Sequence, residues 1–204
     1  MSVFRSVRLA LWIAAAGALV GAGAVVLGVW PIQEPPRSRV VGGVADVGGP
    51  FRLMSHRGEA VSDVDLRGKP YLLFFGFTHC PDICPTTLAE LTRRLEQLGP
   101  DAEKLRTLFV TVDPERDTQQ DLAEYMTSFD PRIVALRGDR AQTEEIVRVF
   151  KATVRRVPLK DGGYTMDHNV IVYMMDAQGR FVNSLDPHES ENVQLQKLRR
   201  LVAG

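Results

Sequence analysis

Charge of one sign is what this 204-residue sequence lacks: 25 lysines and arginines face 25 aspartates and glutamates, for a formal net charge of zero. Acids and bases are mixed along the chain, with no basic face of the kind that neutralises phosphates, which argues against a nucleic-acid partner. Internal repeats and low-complexity tracts are also missing, so a solenoid or a disordered linker protein is excluded. Cysteine is scarce, with two residues, and histidine nearly so, with four. Both cysteines fall in one short stretch, "FFGFTHCPDICPTTL", residues 74–88. The spacing is CxxxC, so the CxxC of the common thiol oxidoreductases is absent. The peroxidase pattern PxxxTxxC is absent too: counting back from Cys84, Pro81 stands where Thr is needed and Phe77 where Pro is needed.

One long uncharged run is present, residues 9–30. As a helix it would extend ~33 Å, the thickness of a bilayer core. A cleaved signal peptide is the plainer reading, with "AGA" at 22–24 as a small-residue site, but the run exceeds a signal h-region of ~7–15 residues. An uncleaved transmembrane anchor is therefore expected. Arg5 and Arg8 precede it and Arg37 and Arg39 follow it, so the positive-inside count is nearly tied. The very short tail, residues 1–8, favours a cytoplasmic N-terminus and a domain on the far side. No Arg- and Ser-rich presequence precedes the run, which fits a bacterial membrane better than a mitochondrial one. Residues 31–45 are rich in Pro and Gly and read as a tether. From residue 46 to 204 there is enough chain for one domain with a single core.

Hydrophobic patterning within that domain predicts a hairpin at 51–62 and a strand buried on both faces at 71–77. Leu88, Leu91, Leu95 and Leu98 mark an amphipathic helix from Pro85 to Gly99. A buried strand follows at 105–113. Thr118 with Asp121 forms a capping pattern that opens a helix. Next come a strand at 132–138, a helix at 143–152, two antiparallel strands at 169–176 and 180–185, and a last helix over 189–203. This is an α/β pattern. It predicts a thioredoxin-like fold with a mostly parallel central sheet, flanking helices and a C-terminal hairpin.

Cys80 and Cys84 each precede a proline, which biases both away from the α region. Pro85 suits a first helical position, so Cys84 is expected at the helix N-cap, where the dipole favours thiolate. Three chemistries compete for the pair. A structural disulfide would close so short a loop that it constrains little of the unfolded chain. Redox catalysis lacks the CxxC spacing, and no proline precedes the late strand. A metal site remains: two soft thiolates suit Cu(I) or zinc and need a further ligand. Of the histidines, His79 adjoins Cys80 and is expected to point away, His56 lies near the first turn, and His188 reads as a solvated helix start. His168, in "MDHNVIVYM", stands just before a late buried strand, where a thioredoxin-like fold faces the cysteine loop. Met166, Met174 and Met175 lie nearby, and alternation predicts that one of the last two is core. Asp113, in "VDPERDT", ends its strand on the cysteine side of the sheet, where it either serves the site or starts the turn with Pro114.

"GFTHCPDICPTTL", "VTVDPERDT" and "DHNVIVYMMDAQGRF", in that order, resemble the Sco (SenC-type) copper proteins that assist cytochrome c oxidase assembly. The likeness covers about residues 45–202. It implies a membrane-tethered thioredoxin-like domain that binds one copper, as Cu(I) or Cu(II), through Cys80, Cys84 and His168. It implies a role for Asp113 in copper handling or partner docking. The implied partners are the copper-centre subunit of the oxidase and an upstream copper donor or thiol reductant. The implied activity is copper delivery to the binuclear centre. The alternative is a thiol-disulfide reductase that keeps the acceptor cysteines reduced.

Overall fold

A strand without charged side chains must be covered on both faces, and "YLLFFG" meets that demand: all six residues of β3 (Tyr71–Gly76) are buried. The computed structural model describes residues 47–160 and 162–204, which fall within one compact unit. Among the described residues no helix is long and apolar enough to cross a membrane. The expected tail, anchor and tether, residues 1–45, lie outside the described residues.

Around β3 the chain builds a seven-stranded sheet from β1 (Arg52–Ser55), β2 (Ala60–Ser62), β4 (Arg106–Thr111), β5 (Ile133–Arg137), β8 (Val172–Met175) and β9 (Phe181–Leu185), in the order β2-β1-β5-β4-β3-β8-β9. Among the described residues four α-helices accompany it: α1 (Ile83–Leu98), α2 (Gln119–Met126), α3 (Arg140–Val149) and α4 (Glu191–Ala203). The expected hairpin at 51–62 is β1 and β2, and the terminal hairpin is β8 and β9.

The sheet is mixed, and the expectation of a mostly parallel one is corrected. Only β3 with β4 and β4 with β5 pair in parallel; every other neighbour is antiparallel. Parallel neighbours need a crossover connection. Only α1, between β3 and β4, and α2, between β4 and β5, supply crossovers that return the chain to an adjacent strand. After α3 the chain instead makes a separate two-stranded sheet, β6 (Val154–Pro158) and β7 (Tyr164–His168), before entering β8 antiparallel to β3.

Sequence patterning missed β6 and β7. "VRRVP" and "YTMDH" have no strong apolar alternation, because no residue of either strand is fully buried and neither face of the ribbon forms core. Both Met174 and Met175 are buried, where alternation predicted one, since β8 is an inner strand covered on both faces. The capping box expected at Thr118 and Asp121 is present, and a second one, Asp139 with Gln142, opens α3 earlier than expected. Leu88, Leu91, Leu95 and Leu98 of α1 are all buried in the core. Arg94 on the same helix reaches Gln194 at 3.2 Å and Glu191 at 3.1 Å, so α1 and α4 are tied together.

Candidate metal centre

The parallel strands β3 and β4 end on the same edge of the sheet, the usual place for sites in open α/β folds. Beyond β3 the chain turns at Phe77–Cys80, with the Cys80 N–H donating to the Phe77 carbonyl at 3.3 Å. It then enters α1 at Ile83.

Cys84 is the second residue of α1, inside the helix rather than at its N-cap, so that expectation is corrected. Asp82 holds the N-cap position without a side-chain cap bond. The Cys84 N–H instead donates to the Cys80 sulfur at 3.4 Å. A sulfur thus satisfies one of the orphan amides of the first turn. Pro85, third in the helix, still lies where no amide hydrogen is needed.

Cys84 is fully buried, and Gly76 makes room for it. A Cβ on Gly76 would stand 2.9 Å from the Cys84 sulfur and 2.5 Å from Cε2 of Phe109. Burial pushes the Cys84 thiol well above its ordinary range, and the neighbouring Cys80 adds to this. The expected dipole effect on Cys84 is therefore overridden by desolvation. Cys80 is half-buried, and both thiols are free.

His168 ends β7 and brings its ring against the edges of Phe74 and Phe77, with centroids 6.1 and 6.0 Å away. Nδ1 lies 2.9 Å from the Asn169 carbonyl oxygen. A carbonyl only accepts, so Nδ1 carries the proton and Nε2 is left with its lone pair. Nε2 faces the Cys84 sulfur at 3.5 Å. Burial, the larger influence, pulls the imidazole pKa below its ordinary value, against the opposing pull of the Asn169 carbonyl and Asp167.

The two sulfurs and a ring nitrogen of His168 all lie within 4.8 Å of one another. Soft thiols, a neutral imidazole with its second nitrogen already satisfied, and a cradle cleared by a glycine fit a thiophilic metal ion. The other histidines stay out. His79 is 53% exposed and lies 3.6 Å from Asp117. The His56 Nδ1 accepts from the Ala135 N–H at 3.1 Å. His188 is exposed beside the start of α4.

Asp113 is buried but outside the cluster. Its carboxylate accepts from Arg116 Nε at 2.5 Å and from the Tyr164 hydroxyl at 2.9 Å, while its carbonyl closes the turn to Arg116 and Asp117. It therefore starts the turn and also ties the end of β4 to β7, the strand that carries His168. Asp117 escaped sequence reasoning. Fully buried, it accepts from the Thr78 N–H at 3.1 Å, the Thr78 hydroxyl at 2.6 Å and the Thr111 hydroxyl at 2.5 Å. It fixes the chain two residues before Cys80. Its only sequence signal is its place in "VDPERDT", four residues after Asp113.

A mixed sheet whose strand–helix junction presents two thiols to an imidazole from an adjoining ribbon defines a thioredoxin-like domain with a metal-binding edge. The SCO1/SenC family model matches residues 41–203, and the chain belongs to that family. It is 37% identical over 175 residues to protein SCO2 of Saccharomyces cerevisiae, covering 83% of this chain and 57% of that one. It is 36% identical over 156 residues to the human SCO1 homolog, mitochondrial, covering 74% of this chain and 50% of that one. The chain thus spans about half the length of these curated relatives. Among solved structures, Bradyrhizobium japonicum ScoI with copper bound superimposes with a TM-score of 0.72 at 44% identity, over 76% of this chain and 99% of that one. Yeast Sco1 with copper bound also gives 0.72, at 33% identity, over 78% and 90%.

Proposed function

We propose that this protein holds one copper ion through Cys80, Cys84 and His168 and delivers it to the binuclear copper centre of cytochrome c oxidase. The convergence of two thiols and a neutral imidazole within 4.8 Å carries the reading. Copper-bound relatives of the same fold support the choice of metal. Two thiolates suit Cu(I), and the imidazole nitrogen adds the harder donor that Cu(II) prefers. Three ligands at a sheet edge leave an approach open for the acceptor's own ligands. Binding must displace the thiol protons, so affinity should rise with pH. Asp113 acts beside the site, through Arg116 and Tyr164, in copper handling or docking.

Cys80→Ser or Cys84→Ser should abolish tight Cu(I) binding in a competition titration, because a neutral hydroxyl is a hard donor. His168→Ala should spare Cu(I) and alter the Cu(II) absorption and spin-resonance spectra. Unchanged Cu(II) spectra in His168→Ala would remove it from the ligand set.

The half-buried Cys80 beside a buried Cys84 also suits an attacking thiol backed by a second. That favours, as second reading, a reductase of the acceptor's cysteines. The uncharged run 9–30 supports a single-pass anchor in a bacterial inner membrane with the domain on the periplasmic side. Alkaline phosphatase fused to the C-terminus should be active. An inactive phosphatase with an active cytoplasmic reporter would reverse this orientation.

A further inference from the structure

We propose that Asn169 is a positioning residue for the His168 imidazole: it sets which ring nitrogen faces the two sulfurs and holds that nitrogen in register with them. This deepens the reading of Cys80, Cys84 and His168 as the copper-holding set and rests on it.

His168 has weak support from regular structure. It is the last residue of β7, and among the described residues β7 pairs only with β6 and no ladder joins that ribbon to the seven-stranded sheet. The two cysteines, by contrast, sit at the junction of β3 and α1, Cys84 within the core and Cys80 packed against it. Phe74 and Phe77 pack against the ring, but apolar contacts do not choose which ring nitrogen faces the sulfurs; that choice falls to a polar partner, and residue 169 is the first beyond the ribbon.

Every polar group of Asn169 is engaged. Its N–H donates to the Thr153 carbonyl at 3.2 Å, and its Oδ1 accepts from the Thr153 N–H at 3.1 Å. Its Nδ2 donates to the Tyr173 hydroxyl at 2.9 Å. Its carbonyl accepts from His168 Nδ1 at 2.9 Å. Tyr173 is an inner residue of β8, 4% exposed, with its ring edge-on to Phe75, Phe150 and Phe181. One side chain therefore links the start of β6, the core strand β8 and the carbonyl that orients the imidazole. Any residue would supply a carbonyl here. The amide side chain is what fixes where that carbonyl points, since it both accepts from one element and donates to the other.

The consequence is selective. Two thiolates hold Cu(I) without help from the ring, whereas Cu(II) depends on the nitrogen donor. Loss of a group that orients a ligating histidine costs about 10–100-fold in metal affinity. Asn169→Ala should therefore weaken Cu(II) by about 10-fold or more and change its spin-resonance spectrum, with Cu(I) affinity changed less than about threefold. Tyr173→Phe removes only the hydroxyl that receives Nδ2 and keeps the aromatic packing, so it should shift Cu(II) in the same direction by a smaller factor.

The decisive readout needs no metal. The ring nitrogen shifts of His168 in the metal-free protein, by NMR, should report one tautomer with Nδ1 protonated in the unmodified chain. They should move toward an averaged value in both variants. Wild-type ring shifts in both variants would overturn the proposal, and so would equal losses of Cu(I) and Cu(II), the mark of general damage. If Asn169→Ala does not fold, Tyr173→Phe decides by the same readouts. A failure of the ligand reading shows separately, as unchanged Cu(II) spectra in His168→Ala.

Discussion

Cys80 and Cys84 carry the same group in two environments, and the difference decides their reactivity. Cys84 is fully buried over Gly76 with its thiol pushed upward, while Cys80 is half-exposed on the loop. Thiolate character and access together govern alkylation. In the metal-free protein at neutral pH, iodoacetamide should label Cys80 at least about 10-fold faster than Cys84, read by mass spectrometry of peptide fragments. Comparable rates would mean that the burial of Cys84 does not hold in solution. At this scale the three clustered residues were legible in the sequence, because cysteine and histidine are rare here and carry chemistry by type. Their supports were not. Gly76 is silent until a sulfur is seen above it, Asp117 reads as one more loop acid, and Asn169 reads as a residue before a strand. Each is defined by partners distant in the chain, such as Thr78 and Thr111 for Asp117 or Thr153 and Tyr173 for Asn169.

The element that sets the thiol spacing is α1. Leu88, Leu91, Leu95 and Leu98 fix its register against the core, so the helix cannot rotate to absorb a change at its start. Each residue turns a helix by about 100°. Ile83 is the first residue of α1 and is exposed. Deleting it must therefore tighten the loop between the two sulfurs, giving CPDCP. Cu(I) affinity should fall by about 10-fold or more, while disulfide exchange with insulin stays equal or rises. Unchanged copper affinity, or vigorous insulin reduction by the native spacing, would contradict a loop built as a metal clamp. The sequence located α1, β3 and β4 well because the leucines of α1 follow the helical period and the two strands are largely apolar runs of strand length. It misplaced the start of α1 by two residues, because proline was weighed as a first-turn marker without the sulfur that serves an amide there. It left β6 and β7 unassigned, since Arg155 and Arg156, neighbours on opposite faces of the strand, are both exposed and break the alternation that would be sought.

At the scale of the whole domain, two parts meet at the metal edge. The mixed sheet with α1 presents the two sulfurs, and the separate ribbon presents the imidazole, pinned through Asp113, Arg116 and Tyr164 at one end and Asn169 at the other. Sequence order alone could not show this division, since antiparallel and parallel neighbours read alike as buried apolar runs. A thiol pair beside the core with an imidazole on a separate ribbon suits the proposed carrier, which must both hold a metal and let it go. The most direct test is a transfer experiment. The protein carrying one equivalent of Cu(I) is mixed with the copper-free, reduced copper-centre domain of the oxidase, and copper on each is measured after separation. In parallel, the copper-free protein with reduced thiols is mixed with the same domain in its disulfide form. Copper should move to the reduced acceptor, and transfer should be lost in Cys80→Ser and Cys84→Ser. Copper that stays with this protein, together with efficient reduction of the acceptor disulfide by the copper-free form, would contradict copper delivery and establish the reductase reading.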